Sequence, residues 1–147
     1  MASRKVVLLV GTRKGLFVME SDERRATWRT MNGLNLHASR KKWQPGGGGL
    51  ILHTIVPDDG EGRMYVGVSA AGVFKSDDRG ATWQPANAGV KSDFLPEPEA
   101  EVGACPHKLA VSATDPRRLW QQNHVGVFRS DDRARQWKNV SLSLIHI

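Results

Sequence analysis

The chain has 147 residues, of which 39% are hydrophobic and 24% charged, and a formal net charge of +6. This composition is that of an ordinary globular domain with one core and excludes a disordered chain. The first apolar run, Val6 to Val10, is too short for a secretory signal or a membrane span, so we expect a cytoplasmic protein without a membrane partner. Cys105 is the only cysteine, which excludes an internal disulfide framework.

The basic residues carry no clear signal for nucleic-acid binding. They are spread along the chain, mostly at expected turns, and no helix-turn-helix, zinc-finger or RNA-binding aromatic motif accompanies them. We therefore expect no nucleic-acid partner and interpret the charge as solvated turns.

Short β-prone runs separated by turn residues predict an all-β chain, because helical periodicity is nowhere sustained. The runs fall into three units, at about 5–31, 50–87 and 107–140. The first unit supplies three predicted strands, at Val6 to Val10, Gly15 to Glu20 and Ala26 to Thr30. The second unit supplies four in a meander, at Leu50 to Val56, Met64 to Val68, Val73 to Ser76 and from Ala81 onward. The third repeats that order, at Lys108 to Ser112, Arg118 to Asn123, Gly126 to Ser130 and Arg135 to Val140.

Two long segments, 32–49 and 88–106, separate the units and do not repeat. The first contains a Pro-Gly-Gly-Gly-Gly run and the second a Pro-Glu-Pro-Glu run. We expect both to be connecting loops, which are where binding usually occurs on a rigid scaffold.

One phrase, a segment of nine residues that ends in a tryptophan, recurs in all three units, at 20–28, 75–83 and 129–137. Its tryptophans Trp28, Trp83 and Trp137 lie 55 and 54 positions apart (83 minus 28, 137 minus 83). Self-similarity at a fixed period indicates a stacked or radial repeat. The second copy, in which Asp77 and Asp78 follow Ser76, is the most complete. Arg25 replaces its glycine in the first copy, and Ala134 and Gln136 replace its glycine and threonine in the third.

The pattern Ser-x-Asp-x-Gly-x-Thr-Trp resembles the Asp-box, or BNR repeat, of sialidases, sortilin-type receptors, xyloglucan-cleaving glycosidases and photosystem-assembly β-propellers. The resemblance implies a hairpin between the third and fourth strands of each blade, in which the Asp bonds turn backbone and the Trp packs between sheets. It thus implies a structural role, and no catalytic one, for these residues: Ser21, Asp22, Trp28, Ser76, Asp77, Gly80, Thr82, Trp83, Ser130, Asp131 and Trp137.

Segments outside the phrase resemble bacterial Asp-box proteins that are labelled glycosyl hydrolase or exo-α-sialidase. They are 37–40, 43–50, 105–108 and 121–124. The resemblance implies one β-propeller domain over 4–140, but sialidase features are missing: there is no Arg-Ile-Pro motif, and the one tyrosine, Tyr65, lies in a predicted strand.

The number of predicted blades is too small for a closed propeller. A propeller closes with typically four to eight blades, and this chain supplies two and a partial one. We therefore expect a fragment that needs missing blades or self-association for stability. Residues 142–147 resemble the translation of a transposon end used in sequencing libraries, so we expect a non-native read-through tail there.

A ligand site is predicted at the axial mouth, where the inner strand ends of successive blades converge. If His53 and His107 occupy corresponding places on the innermost strands, they and nearby polar side chains offer either imidazole ligands for a metal or a cationic cradle for a carboxylate, phosphate or sugar acid. The predicted ligand-binding residues are His37, Arg40, His53, His107, Lys108, Asn123 and His124. The histidine spacings match no zinc signature, so we expect no metal and no cofactor.

Three functions stay open from the sequence. The first is a propeller that binds a small polar or carbohydrate-like ligand without catalysis. The second is a glycoside hydrolase of the exo-sialidase or xyloglucanase type, which needs two carboxyl groups; Asp93 and Glu97 in the second long loop are its candidates. Those acids are equally explained as solvated loop charge. The third is a protein-docking scaffold.

Overall fold

The computed structural model describes residues 5–12, 15–43, 49–57, 60–93 and 95–141. The predicted read-through tail, residues 142–147, and most of the glycine run lie outside the described residues. Within them the chain forms eleven strands in three antiparallel sheets. The first sheet consists of β1 (Lys5–Thr12), β2 (Gly15–Asp22) and β3 (Arg29–Met31).

The second and third sheets have four strands each, and every strand pairs with the next one along the chain. The second contains β4 (Leu52–Val56), β5 (Met64–Val68), β6 (Gly72–Ser76) and β7 (Gln84–Pro85). The third contains β8 (Pro106–Val111), β9 (Leu119–Asn123), β10 (Gly126–Ser130) and β11 (Lys138–Asn139).

These meanders confirm the predicted fold class, all-β blades of a β-propeller that form an incomplete ring. In the described part of the chain the only helical element is a short 3₁₀ turn, Ala38–Lys42, in the first long loop. No helix there is both long and apolar enough to cross a membrane.

Two apolar cores hold the three sheets face to face. Leu16 and Val18 of the first sheet pack with Phe74 and Trp83 of the second. A separate cluster joins the second sheet to the third through Tyr65, Val73, Leu109, Phe128 and Trp137. The central sheet is therefore covered on both faces, which explains why all five residues of β5 are buried. The first strands, β1, β4 and β8, lie side by side and form the inner row of the blades.

The last strand of each unit is shorter than predicted, because the residues up to the tryptophan belong to a turn. In the second unit Ser76 Oγ accepts the backbone N–H groups of Asp78 at 3.3 Å and Gly80 at 2.8 Å. Asp78 then accepts the backbone N–H and the hydroxyl of Thr82, at 2.8 and 2.6 Å. Side chains thus satisfy backbone groups that a strand would pair with its neighbour.

The prediction that Asp77 bonds the turn is wrong. Asp78 does so, and the Asp77 carboxylate points to cations, with Lys75 Nζ at 2.8 Å and Arg63 Nε at 3.0 Å. In this copy the second residue after the serine brings its carboxylate over the backbone N–H of Thr82.

The same correction applies to Asp131 in the third copy. There Asp132 Oδ1 accepts the backbone N–H groups of Arg135 and Gln136, each at 3.0 Å. Asp131 instead forms ion pairs with Arg118 at 2.7 Å and Arg129 at 3.1 Å. These two units therefore contain adjacent acids with different tasks.

The first copy differs from the other two. Its Asp22 accepts the N–H groups of Arg24 and Arg25, at 3.0 and 3.1 Å. The hydroxyl of Ser21 donates to the carbonyl of Thr27. A glutamate, Glu23, stands where the other copies have the turn-bonding aspartate. The turn is closed by the preceding acid instead.

The tryptophans of the three copies differ in how far they are buried. Trp83 and Trp137 are 4% and 2% exposed, and each packs against the sheet that precedes its own. Trp137 Nε1 also donates to the carbonyl of Ala86 at 2.8 Å. Trp28 is 38% exposed, so the expectation that it packs between sheets is wrong. Among the described residues no sheet precedes the first one, and the corresponding face is open.

Candidate functional site

Each of two inner strands contains a β-bulge, and the extra residue in both is a histidine. In the second sheet Leu52 pairs with Val68 and Thr54 with the adjacent Gly67, so His53 is left over. In the third sheet the same shift between Pro106 and Lys108 leaves out His107. Bulges re-aim side chains and are over-represented next to active sites. The two histidines occupy the corresponding positions that the sequence predicted.

The bulges bring three imidazoles together, which we call the histidine cluster: His53, His107 and His124. The rings of His53 and His107 stack with centroids 5.2 Å apart and an interplanar angle of 26°. His124, from the turn between β9 and β10, meets His107 edge-on at 4.4 Å. The Nε2 atoms of His107 and His124 are 3.1 Å apart. His107 is half-buried, and the other two rings are exposed.

Hydrogen bonds from neighbouring residues fix the backbone at the histidine cluster. Thr54 Oγ1 donates to the carbonyl of His107 and accepts the N–H of Leu109, both at 3.3 Å. Asn123 Oδ1 accepts the N–H of Val125 at 2.9 Å and so shapes the turn that carries His124. The strand β4 therefore supports a bulge in the neighbouring sheet.

The environment of His107 favours its neutral form. Burial lowers the pKa of His107 below its ordinary value of 6.5, and the nearby charges of His124 and His53 lower it further. A neutral imidazole keeps a lone pair on one ring nitrogen, which can accept a hydrogen bond or bind a metal.

A thiol lies beside the histidine cluster. Cys105 is buried, and its Sγ is 3.0 Å from the hydroxyl oxygen of Ser69. The Cys105 sulfur and one ring nitrogen each of His107 and His124 lie within 4.8 Å of one another. Cys105 is not among the residues that the sequence predicted for the site. Its spacing in Cys105-Pro106-His107, at the start of an inner strand, was the available signal.

Two of the predicted ligand-binding residues have packing roles elsewhere. His37 caps the 3₁₀ turn by accepting the N–H of Ser39 at 3.1 Å, and its ring lies edge-on to Phe74 at 5.4 Å. The guanidinium of Arg40 lies over the ring of Trp43 at 4.7 Å. The structure does not bring these two side chains into the histidine cluster.

The remaining two predicted residues border the cluster. Lys108 follows His107 on β8 and is exposed. Asn123 is only 3% exposed and pairs with Pro106 across the two strands. Its Nδ2 is buried and has no hydrogen-bond partner among the described residues. A buried amide donor without a partner is costly, so this N–H group is available to a bound acceptor.

The two long loops meet at a second concave region. A cavity of about 340 Å³ is lined by Lys42 from the first loop and by Glu97, Glu101 and Val102 from the second. The second loop is anchored, because Asn87 Nδ2 donates to the carbonyl of Glu101 and the N–H of Gly103 donates to Ala71, both at 2.9 Å. Of the two predicted catalytic acids, Glu97 lines this cavity. Asp93 is exposed and is not part of its lining.

Comparison with solved structures supports the architecture. A GH74 xyloglucanase from Xanthomonas campestris superposes on 95% of this chain with a TM-score of 0.56. The chain has a β-propeller fold. Sequence identity is 21%, and the matched region is 22% of the xyloglucanase chain, so this chain spans about a fifth of that protein. No protein-family model matches the chain, and neither does any curated protein.

Proposed function

We propose that the chain is part of an Asp-box type β-propeller that binds a small polar or carbohydrate-like ligand at the histidine cluster. The observation that carries the proposal is the pair of bulges at His53 and His107. Two sheets use the same irregularity at the same level to present the same side chain, and packing alone requires neither bulge.

The groups around the histidine cluster suit a ligand with hydroxyl or carboxylate oxygens. Imidazole nitrogens donate or accept hydrogen bonds, the buried Asn123 Nδ2 is a donor, and Lys108 supplies an exposed positive charge. The exposed ring of His53 can also pack its outer face against the apolar face of a sugar ring. A sugar acid or an acidic small molecule uses all of these features.

Ligand-observed NMR with a panel of neutral sugars, sugar acids and inorganic phosphate tests the proposal, in buffer containing a chelator. We expect saturation transfer to a sugar acid, and at least tenfold weaker binding after His107→Ala or Lys108→Ala. His37→Asn, which keeps a capping side chain, and Lys41→Ala in the first loop are the matched controls and should bind normally. Equal binding by the His107 and His37 variants would contradict the proposal.

A second candidate, glycoside hydrolysis, is favoured by the loop cavity. Two glutamates of the second loop, Glu97 and Glu101, line it. Lys42 from the first loop is also part of its lining. Glycosidases place an acid and a second carboxylate about 5 to 9.5 Å apart across the scissile bond. The likeness to a xyloglucanase supports the fold that such a site would use.

A panel of fluorogenic glycosides, including xyloglucan oligosaccharides, tests this second candidate. Activity lost on Glu97→Gln and kept on Asp93→Asn supports it, because only Glu97 lines the cavity. Activity that survives Glu97→Gln, or an inert protein, contradicts catalysis at this cavity.

A further inference from the structure

We propose that Cys105, His107 and His124 form a transition-metal site, best suited to Zn²⁺, with one coordination position open. This inference goes beyond ligand binding at the histidine cluster and does not depend on it. It starts from three donor atoms of the right chemistry, from two segments of the third sheet, that lie within 4.8 Å of one another.

The distance between the two imidazole nitrogens is close to that of a tetrahedral site. With Zn–N bonds of about 2.0–2.1 Å, two ligand nitrogens on a tetrahedron stand about 3.4 Å apart. The Nε2 atoms of His107 and His124 are at 3.1 Å. Placing the ion between the two nitrogens therefore needs a movement of a few tenths of an ångström. The Cys105 sulfur, within 4.8 Å of both nitrogens, has to approach by up to about 1 Å to reach the roughly 3.6 Å of a tetrahedral site.

The donor set selects the class of metal. A thiolate with two imidazoles favours Zn²⁺ and its neighbours in the transition series over Mg²⁺ or Ca²⁺, which prefer oxygen ligands. Three protein ligands leave the fourth position of a tetrahedral ion open, as in catalytic zinc sites.

The surroundings hold these ligands in place. The hydroxyl of Ser69 is 3.0 Å from Cys105 Sγ and can donate to a thiolate. Thr54 holds the backbone of His107, and Asn123 shapes the turn before His124. Such outer partners orient ligands, and their removal typically costs 10- to 100-fold in metal affinity.

Titration of the full chain with Co²⁺ and Zn²⁺ tests the proposal. Cys105 is the only cysteine, so a cobalt–thiolate charge-transfer band can arise from this residue alone. We expect that band to saturate at one ion per chain and to disappear on addition of Zn²⁺. Calorimetry should show Zn²⁺ affinity lowered by more than about 100-fold in Cys105→Ser and His124→Ala, and about tenfold in Ser69→Ala.

Two histidine variants serve as controls. His37→Asn, away from the site, and His146→Ala, outside the described residues, should leave the affinity and the cobalt band unchanged. Absence of a thiolate band in the unmodified chain at stoichiometric Co²⁺ overturns the proposal even if a variant fails to fold. So does Zn²⁺ affinity in folded Cys105→Ser that stays within threefold of the unmodified chain. Because the metal titration uses no organic ligand, it fails or succeeds separately from the sugar-acid binding proposed above.

Discussion

The first copy of the repeated turn and the two later copies begin from similar sequences and have different environments. In all three an aspartate accepts N–H groups of its own turn, so turn closure depends on local residues. The burial of the tryptophan that ends the phrase does not depend on local residues. Trp83 and Trp137 are buried against a preceding sheet, and Trp28 is not. The phrase therefore specifies a turn, and the neighbouring sheet decides whether its aromatic side chain contributes to a core.

The largest expected effect comes from truncating the tryptophans. Trp83→Ala and Trp137→Ala should each lower the free energy of unfolding by about 3–5 kcal/mol, because a large aromatic leaves a cavity in a core. Trp28→Ala should lower it by less than about 1 kcal/mol, because its side chain already faces solvent. Urea unfolding followed by circular dichroism measures all three. A large cost at Trp28 that depends on protein concentration would show that another copy covers this face in solution.

A smaller effect separates the adjacent acids of the second turn. Asp78→Ala should lower the free energy of unfolding by about 1–2 kcal/mol, as loss of a capping side chain does. Asp77→Ala removes ion pairs between an exposed carboxylate and the partly buried cations of Lys75 and Arg63, and should cost less, about 0.5 kcal/mol. The same urea series decides between them. Equal costs for the two variants would argue against the turn role of Asp78.

The pH dependence of stability sharpens this contrast. Partial burial acts to raise the pKa of Asp78, but hydrogen bonds from Thr82 and Ser76 outweigh it and hold the pKa below its ordinary value of 3.8. A lowered pKa in the folded state means that the stabilisation is complete above the unfolded value and is lost as the pH falls below about 4. In thermal unfolding, Asp78→Asn should therefore lose less stability than the unmodified chain between about pH 4 and pH 2. This is roughly the range in which aspartate carboxyl groups take up protons. An unchanged slope would assign the acid sensitivity to other carboxylates.

The smallest effect concerns the residue at the glycine position of each copy. Gly80 has φ of +88°, and Arg25 and Ala134 hold the same left-handed region at +54° and +63°. Arg25→Gly should raise the free energy of unfolding by about 0.5–1 kcal/mol by removing that strain. Ala134→Gly should gain less, because it also removes a buried methyl group worth about 0.8 kcal/mol. Thermal unfolding of both variants measures the difference, and a destabilised Arg25→Gly would show that its side chain has a contact of its own to lose.

Much of the fold follows from the sequence, because period-two runs and turn residues are local signals. The strands Met64–Val68 and Gly126–Ser130 have the predicted bounds. The ends of the last strands do not, since the predicted strand from Ala81 starts only at Gln84. Side-chain hydrogen bonds from Ser76 and Asp78 occupy those backbone groups, and hydropathy patterns do not register them.

The turn aspartate was predictable, because the spacing Ser-x-Asp counted from Ser76 leads to Asp78, and the assignment to Asp77 was wrong by one residue. The site was less predictable, for a physical reason. The grouping of Cys105 with His107 and His124 depends on a bulge in β8 and on strand pairing with β9. Spacing along the chain places His124 far from the other two, which is why a metal was not expected. His37 was included for its residue type and serves as a cap.

Thr54 gives the histidine cluster a mechanical property. Its hydroxyl belongs to β4 and joins two backbone groups of β8, at the level where His53 and His107 stack. The two imidazoles thus lie on opposite sides of the junction between the second and third sheets, and the Thr54 hydrogen bonds cross that junction beside them. Sliding one blade along the other would pull the rings out of register and break the Thr54 bonds together. A molecule bound to both rings would resist the same sliding movement as the Thr54 hydrogen bonds. Binding at this site should therefore make the junction between the two sheets more rigid.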